Sequence, residues 1–584
     1  MDHKPKFFWE KSFTGRTAWL IWLAVTMFTI MLGGFIAALC NYNRPFSDWL
    51  IDSGILAGAL LVAILISIYA VWPLFRLLIL KHWRRTLFGL ACFATLIALF
   101  YAEEDWRGWH TWNQFKHQWE AKGEKFTFAS VVPPPVPDDQ NFAMTPIGFT
   151  SYGNILNRAG HKIPYNTNFD RRMDISIVHD YETAPAGGSG NWEEGKFANL
   201  AAWQGYYRNL AAKTNEFPVP AKPGSPAADV LLALSQYAPV IDELRQASRL
   251  PDSRFPLNYD IACPAEILLP HLSALKNCDR VLQLRSLAEL QNSQPQQALD
   301  DVRLALQLSG KVRTEPFLIS HLVRIAMVQA ALQPVWEGLA EHRWSDAQLA
   351  ELDSQLAKLD FLADYQLAMR GELGCQCGIF DYLRHQPREF LNMVGEMQPS
   401  RDNLSPLTAL VPAGWYDQNQ FRCARMMVEY YVPVANLDQR TISPTAIRKA
   451  DKVLHDETRA LTPFNLFERL LMPALSNCAQ KFAHGQSSVD LARVAIALER
   501  YRLAHGEFPE TLGALGPQFI ARLPHDVIGG QPLHYWRTDD GQFMLYSVGW
   551  NEEDDGGTVV YAPKSKPPRV DSKQGDWVWR YPAK

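Results

Sequence analysis

The sequence predicts a multi-domain membrane protein with three N-terminal transmembrane helices, a mainly α-helical exported domain built as a helical array, and a small α+β C-terminal domain. Three observations predict it. The first hundred residues contain long uncharged apolar runs, the middle repeats apolar residues at spacings of three and four, and the last hundred alternate short apolar segments with Gly-rich turns. At 584 residues the chain exceeds a single core, which rarely grows past about 250–300 residues. Its formal charge of −4 offers no overall basic excess for a nucleic-acid backbone, so no nucleic-acid partner is expected.

The segments "TAWLIWLAVTMFTIMLGGFIAALC" (17–40) and "SGILAGALLVAILISIYAVWPLF" (53–75) are each long enough as helices to cross a hydrocarbon core of about 30 Å. A third, "TLFGLACFATLIALFYA" (86–102), sits at the lower length limit. Lys4, Lys6, Lys11 and Arg16 precede the first run, and Arg76, Lys81, Arg84 and Arg85 follow the second. The loop between the first two runs has only Arg44, and the third is followed by Glu103, Glu104 and Asp105. Basic residues near spans stay cytoplasmic, so residues 1–16 are expected in the cytoplasm and the bulk of the chain in the periplasm of a bacterial inner membrane. A cleaved signal peptide is the rival for the first run, but that run is longer than a signal core and further spans follow.

Residues 103–137 begin with "DWRGWHTWNQFKHQWEAKGE", a helix with Trp109, Trp112 and Trp119 on roughly one side. It either lies at headgroup level or packs on the exported domain. "VVPPPVP" (131–137) reads as a stiff spacer, because each Pro fixes φ and lacks an N–H. Residues 138–225 form a mixed irregular subdomain, whose "GGSG" lacks the strand and helix of a nucleophile elbow, leaving Ser189 as a loop residue.

Helical periodicity dominates 226–484, in segments 227–249, 264–294, 295–312, 315–342 and 346–373 joined by short polar turns. Successive helices on short loops pack antiparallel. The hairpin 279–312 resembles a tetratricopeptide unit through Ser286, Ala298 and Ala305, but no second copy follows at that period. Residues 391–440 are irregular, with "RMMVEYYVPV" (425–434) a helix end or a strand. Helix returns at 444–484 until "GQSS" interrupts it.

The exported cysteines Cys263, Cys278, Cys375, Cys377, Cys423 and Cys478 are even in number, so disulfides are open, as are structural thiols. "CQC" (375–377) lacks the spacing of a redox or zinc pair. Arg370 and Glu372 do not share a helix face. Asp381 with His385, and the run His455, Asp456, Glu457, fit surface ion pairs better than catalysis.

Residues 485–584 form the small α+β domain. "VDLARVAIALERYRLAHG" (489–506) is a helix stopped by Gly506, with Pro509 beyond it. "PLHYWR" and "FMLYSVG" read as strands joined by "TDDG", and an acidic Gly-rich loop follows. "NEEDDG" (551–556) spaces oxygens at Asn551, Glu553 and Asp555 like the start of an EF-hand, but Ala562 stands where a bidentate Glu belongs. A solvated acidic turn is the other reading.

Four stretches in order, "ALERYRLAHGEFPETLGAL" (497–515), "LPHDVIGGQPLHY" (523–535), "LYSVGWNEEDDGG" (545–557) and "GDWVW" (575–579), resemble the globular domain of the type II secretion major pseudopilin. The resemblance covers about the last hundred residues. It implies a calcium (Ca2+) site at Asp554, Asp555 and Asp576, with backbone carbonyls near Ser547, and a protein partner in an envelope assembly. It departs from the family upstream: "PFNLFERLLMPAL" (463–475) places Phe464 and Glu468 in a pilin-like relation, but it is internal and carries Pro463, so pilin processing is not implied. The function expected is therefore an inner-membrane-anchored exported scaffold or adaptor associated with a secretion or pilus-like assembly. The alternative is a membrane-anchored envelope enzyme of the hydrolase class with an unidentified site.

Overall fold

The structure is a computed structural model describing residues 83–149, 154–156, 162–164, most of 173–386, 411–563 and 569–581. The expected spans at 17–40 and 53–75 lie outside these residues. The chain divides into two compact units, Met1–Glu104 and Asp105–Lys584. The described residues are mostly helical, with a few small sheets.

Helix α1, Trp83–Glu120, joins the third apolar run and the aromatic segment that the sequence separated at residue 102. The acidic triplet between them contains no helix breaker, since Glu is a good helix former, and the turn comes only at Gly123, with φ +95°. In its first part Leu87, Phe88, Leu90, Phe93, Leu96, Leu99 and Phe100 are exposed. Among the described residues two helical stretches are long and apolar enough to cross a membrane, Leu87–Glu120 and Leu318–Ala340.

The second of these belongs to the protein core. Helix α7 (Leu318–Ala340) packs against α5 (Pro270–Gln291), α6 (Pro295–Ser309), α9 (Phe361–His385) and α13 (Pro473–His505). It is buried nearly all round, which explains a composition without an amphipathic stripe. Around this centre stand α2 (Leu200–Ala211), α3 (Pro226–Leu234), α4 (Ala238–Ser248), α8 (Asp346–Leu356), α10 (Ala413–Met426), α11 (Pro444–Thr458) and α12 (Leu466–Leu471). Thus the segment 227–249 is two helices, and so is 346–373, where Asp360 caps α9 by accepting from the N–H groups of Leu362 and Ala363. Residues 425–434 prove to be a helix end, running through a π turn into a 3-10 turn.

The expected break at "GQSS" is absent. Helix α13 runs unbroken through residues 484 and 485, so the helical region and the C-terminal α+β region share it. Gly485 sits where a Cβ would stand 3.0 Å from Ile325 Cγ2 and 3.4 Å from Phe361. Gln486 accepts from Phe361 N–H at 2.8 Å, and Ser488 accepts from Gln329 at 2.8 Å while donating to His484 O. Small and polar residues here permit a close helix crossing, and tertiary packing overrides their turn preference. The helix stops at Gly506, φ +85°, as the sequence implies.

Two short antiparallel pairs, β1 (Asn154–Leu156) with β2 (Lys162–Pro164) and β3 (Ala435–Asn436) with β4 (Thr441–Ile442), come earlier in the chain. Beyond α13, β5 (His534–Arg537), β6 (Phe543–Ser547) and β9 (Trp577–Val578) form an antiparallel sheet in the order β5-β6-β9, with Tyr535 opposite Leu545 and Ser547 opposite Trp577. β7 (Val559–Tyr561) and β8 (Val570–Gly575) form a separate hairpin. The sheet rests on α13 through β6 and β9, and Trp579 lies 5.2 Å from Trp192.

Candidate functional site

The acidic loop joins β6 to β7. Asp576, directly before β9, is buried and accepts from Gly557 N–H at 2.7 Å and Asp555 N–H at 3.3 Å. Asp554 accepts from the Tyr546 hydroxyl at 2.8 Å and Gly556 N–H at 3.0 Å, with His534 Nδ1 at 3.5 Å from its other oxygen. Asp555 accepts from the Asn551 side-chain amide at 2.8 Å. Asp576 is thus brought from the β8–β9 junction to the loop that holds Asp554 and Asp555, and all three accept from donors of that loop, with the Tyr546 hydroxyl of β6 added at Asp554. Among the described residues no three His, Cys, Asp or Glu side chains converge as a metal shell.

Electrostatics follow the same geometry. Burial holds the Asp576 carboxyl above the usual carboxylate range, against the two N–H groups that favour its charge. Asp554 is held below it by Gly556 N–H and the Tyr546 hydroxyl. The far side of the loop is tied to α11, where Glu552, in the left-handed region at φ +63°, pairs with Arg448 and accepts from Thr445 at 2.6 Å.

Sequence reasoning missed Asp526, the residue that joins two of the quoted motifs. It is buried, caps its own turn through Ile528 N–H at 2.9 Å, and reaches across to the Ser547 hydroxyl at 2.8 Å and Val548 N–H at 3.0 Å. Its visible trace was an Asp just before the Gly529-Gly530 turn.

The remaining candidates have structural partners. Arg370 holds Glu124 at 2.9 and 3.2 Å. Burial raises Glu372 to about 7. His385 bonds the Asp381 carbonyl at 2.7 Å rather than its carboxylate. Glu457 pairs with Arg425, and Arg422 stands 3.6 Å from both Glu457 and the buried Glu468. Ser189 lies in a turn. Cys263, Cys278, Cys375, Cys377, Cys423 and Cys478 are free thiols, and burial raises the Cys377 thiol to about 12.

A buried polar chain inside the helical body was not legible at all. His271 Nε2 lies 2.7 Å from Glu315, Ser320 donates to the same carboxylate, and His321 Nε2 lies 2.8 Å from the Glu315 carbonyl. Arg324 pairs with Asp364 nearby. A Ser, a His and an acid stand together here, but Ser320 donates to the acid, whereas a nucleophile must donate to the His that acts as its base. Burial and the Arg324 charge lower His321 to about 4, so it is neutral.

An open cleft of about 610 Å³ lies between the Asp105–Lys116 stretch of α1, the end of α9 and the start of α10. Gly108 of α1 approaches Gly414 so closely that a Cβ would meet the Gly414 carbonyl at 2.2 Å, and Asp105 accepts from Gly414 N–H at 2.8 Å. Trp112 packs into the core with Phe126 at 5.4 Å, while Trp106 and Trp109 are 62% and 58% exposed. The aromatic face is therefore divided, with Trp112 and Trp119 turned to the domain and Trp109 left outside. Compared with protein-family models, with characterised proteins and with solved structures, the chain matches none.

Proposed function

We propose that this protein is an inner-membrane-anchored scaffold whose periplasmic helical body displays its pseudopilin-like α+β end to a protein partner in a secretion or pilus-like envelope assembly. The observation that carries the anchoring is α1, whose apolar run leaves large side chains exposed along most of its length. The display is supported by the sheet edge, where β5 presents Trp536, 40% exposed and edge-on to Tyr546 at 5.6 Å. Exposed aromatic anchors of this kind are common at the centres of protein interfaces.

The test is cross-linking in intact cells followed by purification through an N-terminal tag and mass spectrometry, comparing the native chain with Trp536→Ala. A truncation at 484 would cut α13 inside its buried part, so a point change is the cleaner comparison. Co-purification of secretion or pilus components that Trp536→Ala removes is the expected result. Recovery of no envelope protein overturns the reading.

The calcium reading rests on the resemblance and on the oxygen spacing of Asn551, Glu553 and Asp555, and it gives Asp576 a lone pair to share with the ion beside the Gly557 N–H. It predicts that millimolar calcium raises the melting temperature of the full chain and that Asp576→Asn removes the rise. An unchanged melting temperature would leave the loop braced by hydrogen bonds only.

A further inference from the structure

The cleft between α1, α9 and α10 carries chemistry that neither the scaffold reading nor the acidic loop uses. Two tryptophans one helical turn apart, Trp106 and Trp109, are largely exposed at its rim. Asp381 reaches the same cleft with its side chain 59% exposed, held by Arg384 of its own helix at 3.3 Å. Lys116 lines it too, and its pairing with Glu120 is long at 3.8 Å. The deeper wall is the Arg384–Asp417 ion pair. Indole faces and a carboxylate attract an ammonium group. A cleft of about 610 Å³ is in the size range of small-ligand sites.

We infer that this cleft binds the zwitterionic headgroup of a membrane phospholipid, an ammonium joined by a short linker to a phosphodiester. The ammonium lies against Trp106, Trp109 and Asp381, with the phosphodiester on the bilayer side of it. The bilayer is the favoured source because Trp106 follows the last residue of the apolar run, Ala102, by four positions in one continuous helix. At about 1.5 Å per residue that is roughly 6 Å, about the depth of the headgroup layer. The inference rests on α1 being the membrane anchor, and the experiment includes a headgroup probe that needs no membrane.

The experiment is isothermal titration of the full chain in detergent with three probes. These are dihexanoyl phosphatidylethanolamine, dihexanoyl phosphatidylglycerol, which keeps the phosphodiester but lacks the ammonium, and water-soluble glycerophosphoethanolamine. The expected result is saturable binding of the ethanolamine lipid, at least about tenfold weaker binding of the glycerol lipid, and weaker binding of the soluble headgroup. Trp106→Ala/Trp109→Ala should weaken the ethanolamine lipid by about tenfold, since two cation–π contacts together are worth about that factor. Asp381→Asn should weaken the ethanolamine lipid and leave the glycerol lipid unchanged. Both tryptophans are exposed, so an unaltered melting temperature in the double variant certifies its fold. Equal affinity for the two lipids, or an unaltered affinity in the folded double variant, overturns the inference even if the anchoring holds. Soluble headgroup binding as tight as the lipid overturns the bilayer as its source.

Discussion

Glu337 is buried in the last turn of α7, accepting from Ala198 N–H at 2.7 Å and Gln333 at 2.8 Å, and burial raises its carboxyl from an ordinary value of 4.5 to about 7. Asp490 in α13 is likewise raised to about 7, bonded to Gln486 at 3.2 Å from both oxygens. With Glu372, these groups hold protons in the folded state that the unfolded chain releases near pH 4. Their stabilising effect is therefore complete below about pH 4 and is lost as pH rises through about 7, because there the folded state binds more protons than the unfolded one. His321, lowered to about 4, works the other way between pH 4 and 6.5, but the raised acids outnumber it, since burial also lifts Glu468 to about 7 and Glu289 to about 8. Urea unfolding should accordingly give lower stability at pH 8 than at pH 5.5, by on the order of 1–3 kcal/mol per acid. Glu337→Gln keeps an acceptor for Ala198 and should flatten the slope; an unchanged slope would show that Glu337 is already ionised at pH 5.5. At this scale the sequence revealed what local order carries, such as Gly506 and the Asp554–Asp555 pair. It hid His271 with Glu315 and Arg245 with Asp301, whose partners stand 44 and 56 positions apart.

At the scale of elements, helix existence was legible because apolar periodicity is a property of the segment, whereas helix ends were decided by partners. The charged triplet 103–105 suggested the end of a span, yet α1 continues to Glu120 because the triplet contains neither Gly nor Pro. "GQSS" suggested a turn, yet α13 continues because Gly485 lets it cross α7 and α9 closely and Gln486 satisfies the first N–H of α9. The tightness of that crossing can be measured. Gly485→Leu would drive a side chain into Ile325 and Phe361, and should cost about 1–3 kcal/mol despite the gain in helix propensity. If the melting temperature rises instead, the crossing has room that the Cβ distances deny. Gly506→Ala, at a positive φ with nothing within 4 Å, supplies the contrast, since its cost comes from backbone conformation alone.

At the scale of the whole molecule, the sequence changes pattern at 138, 226 and 485, and α13 runs through the last of these positions. The last hundred residues bring their motifs in order, but the helix that opens them is also a core helix of the body, packed on α7 and α8 as well as on β6. The compact unit instead begins at Asp105. Its core residues, from Trp112 to Trp579, all lie beyond that point, whereas the large apolar side chains of α1 before it are exposed. A chain starting at Asp105 should therefore be soluble without detergent and melt within a few degrees of the full protein, because the described part of α1 that it loses carries exposed apolar side chains and no residue of that core. A chain ending at 484 should fail to fold, because it loses the second half of α13 and the sheet resting on it. If the fragment from Asp105 aggregates while the one ending at 484 folds, then the last hundred residues are an appended domain, and the continuity of α13 does not join the two regions energetically.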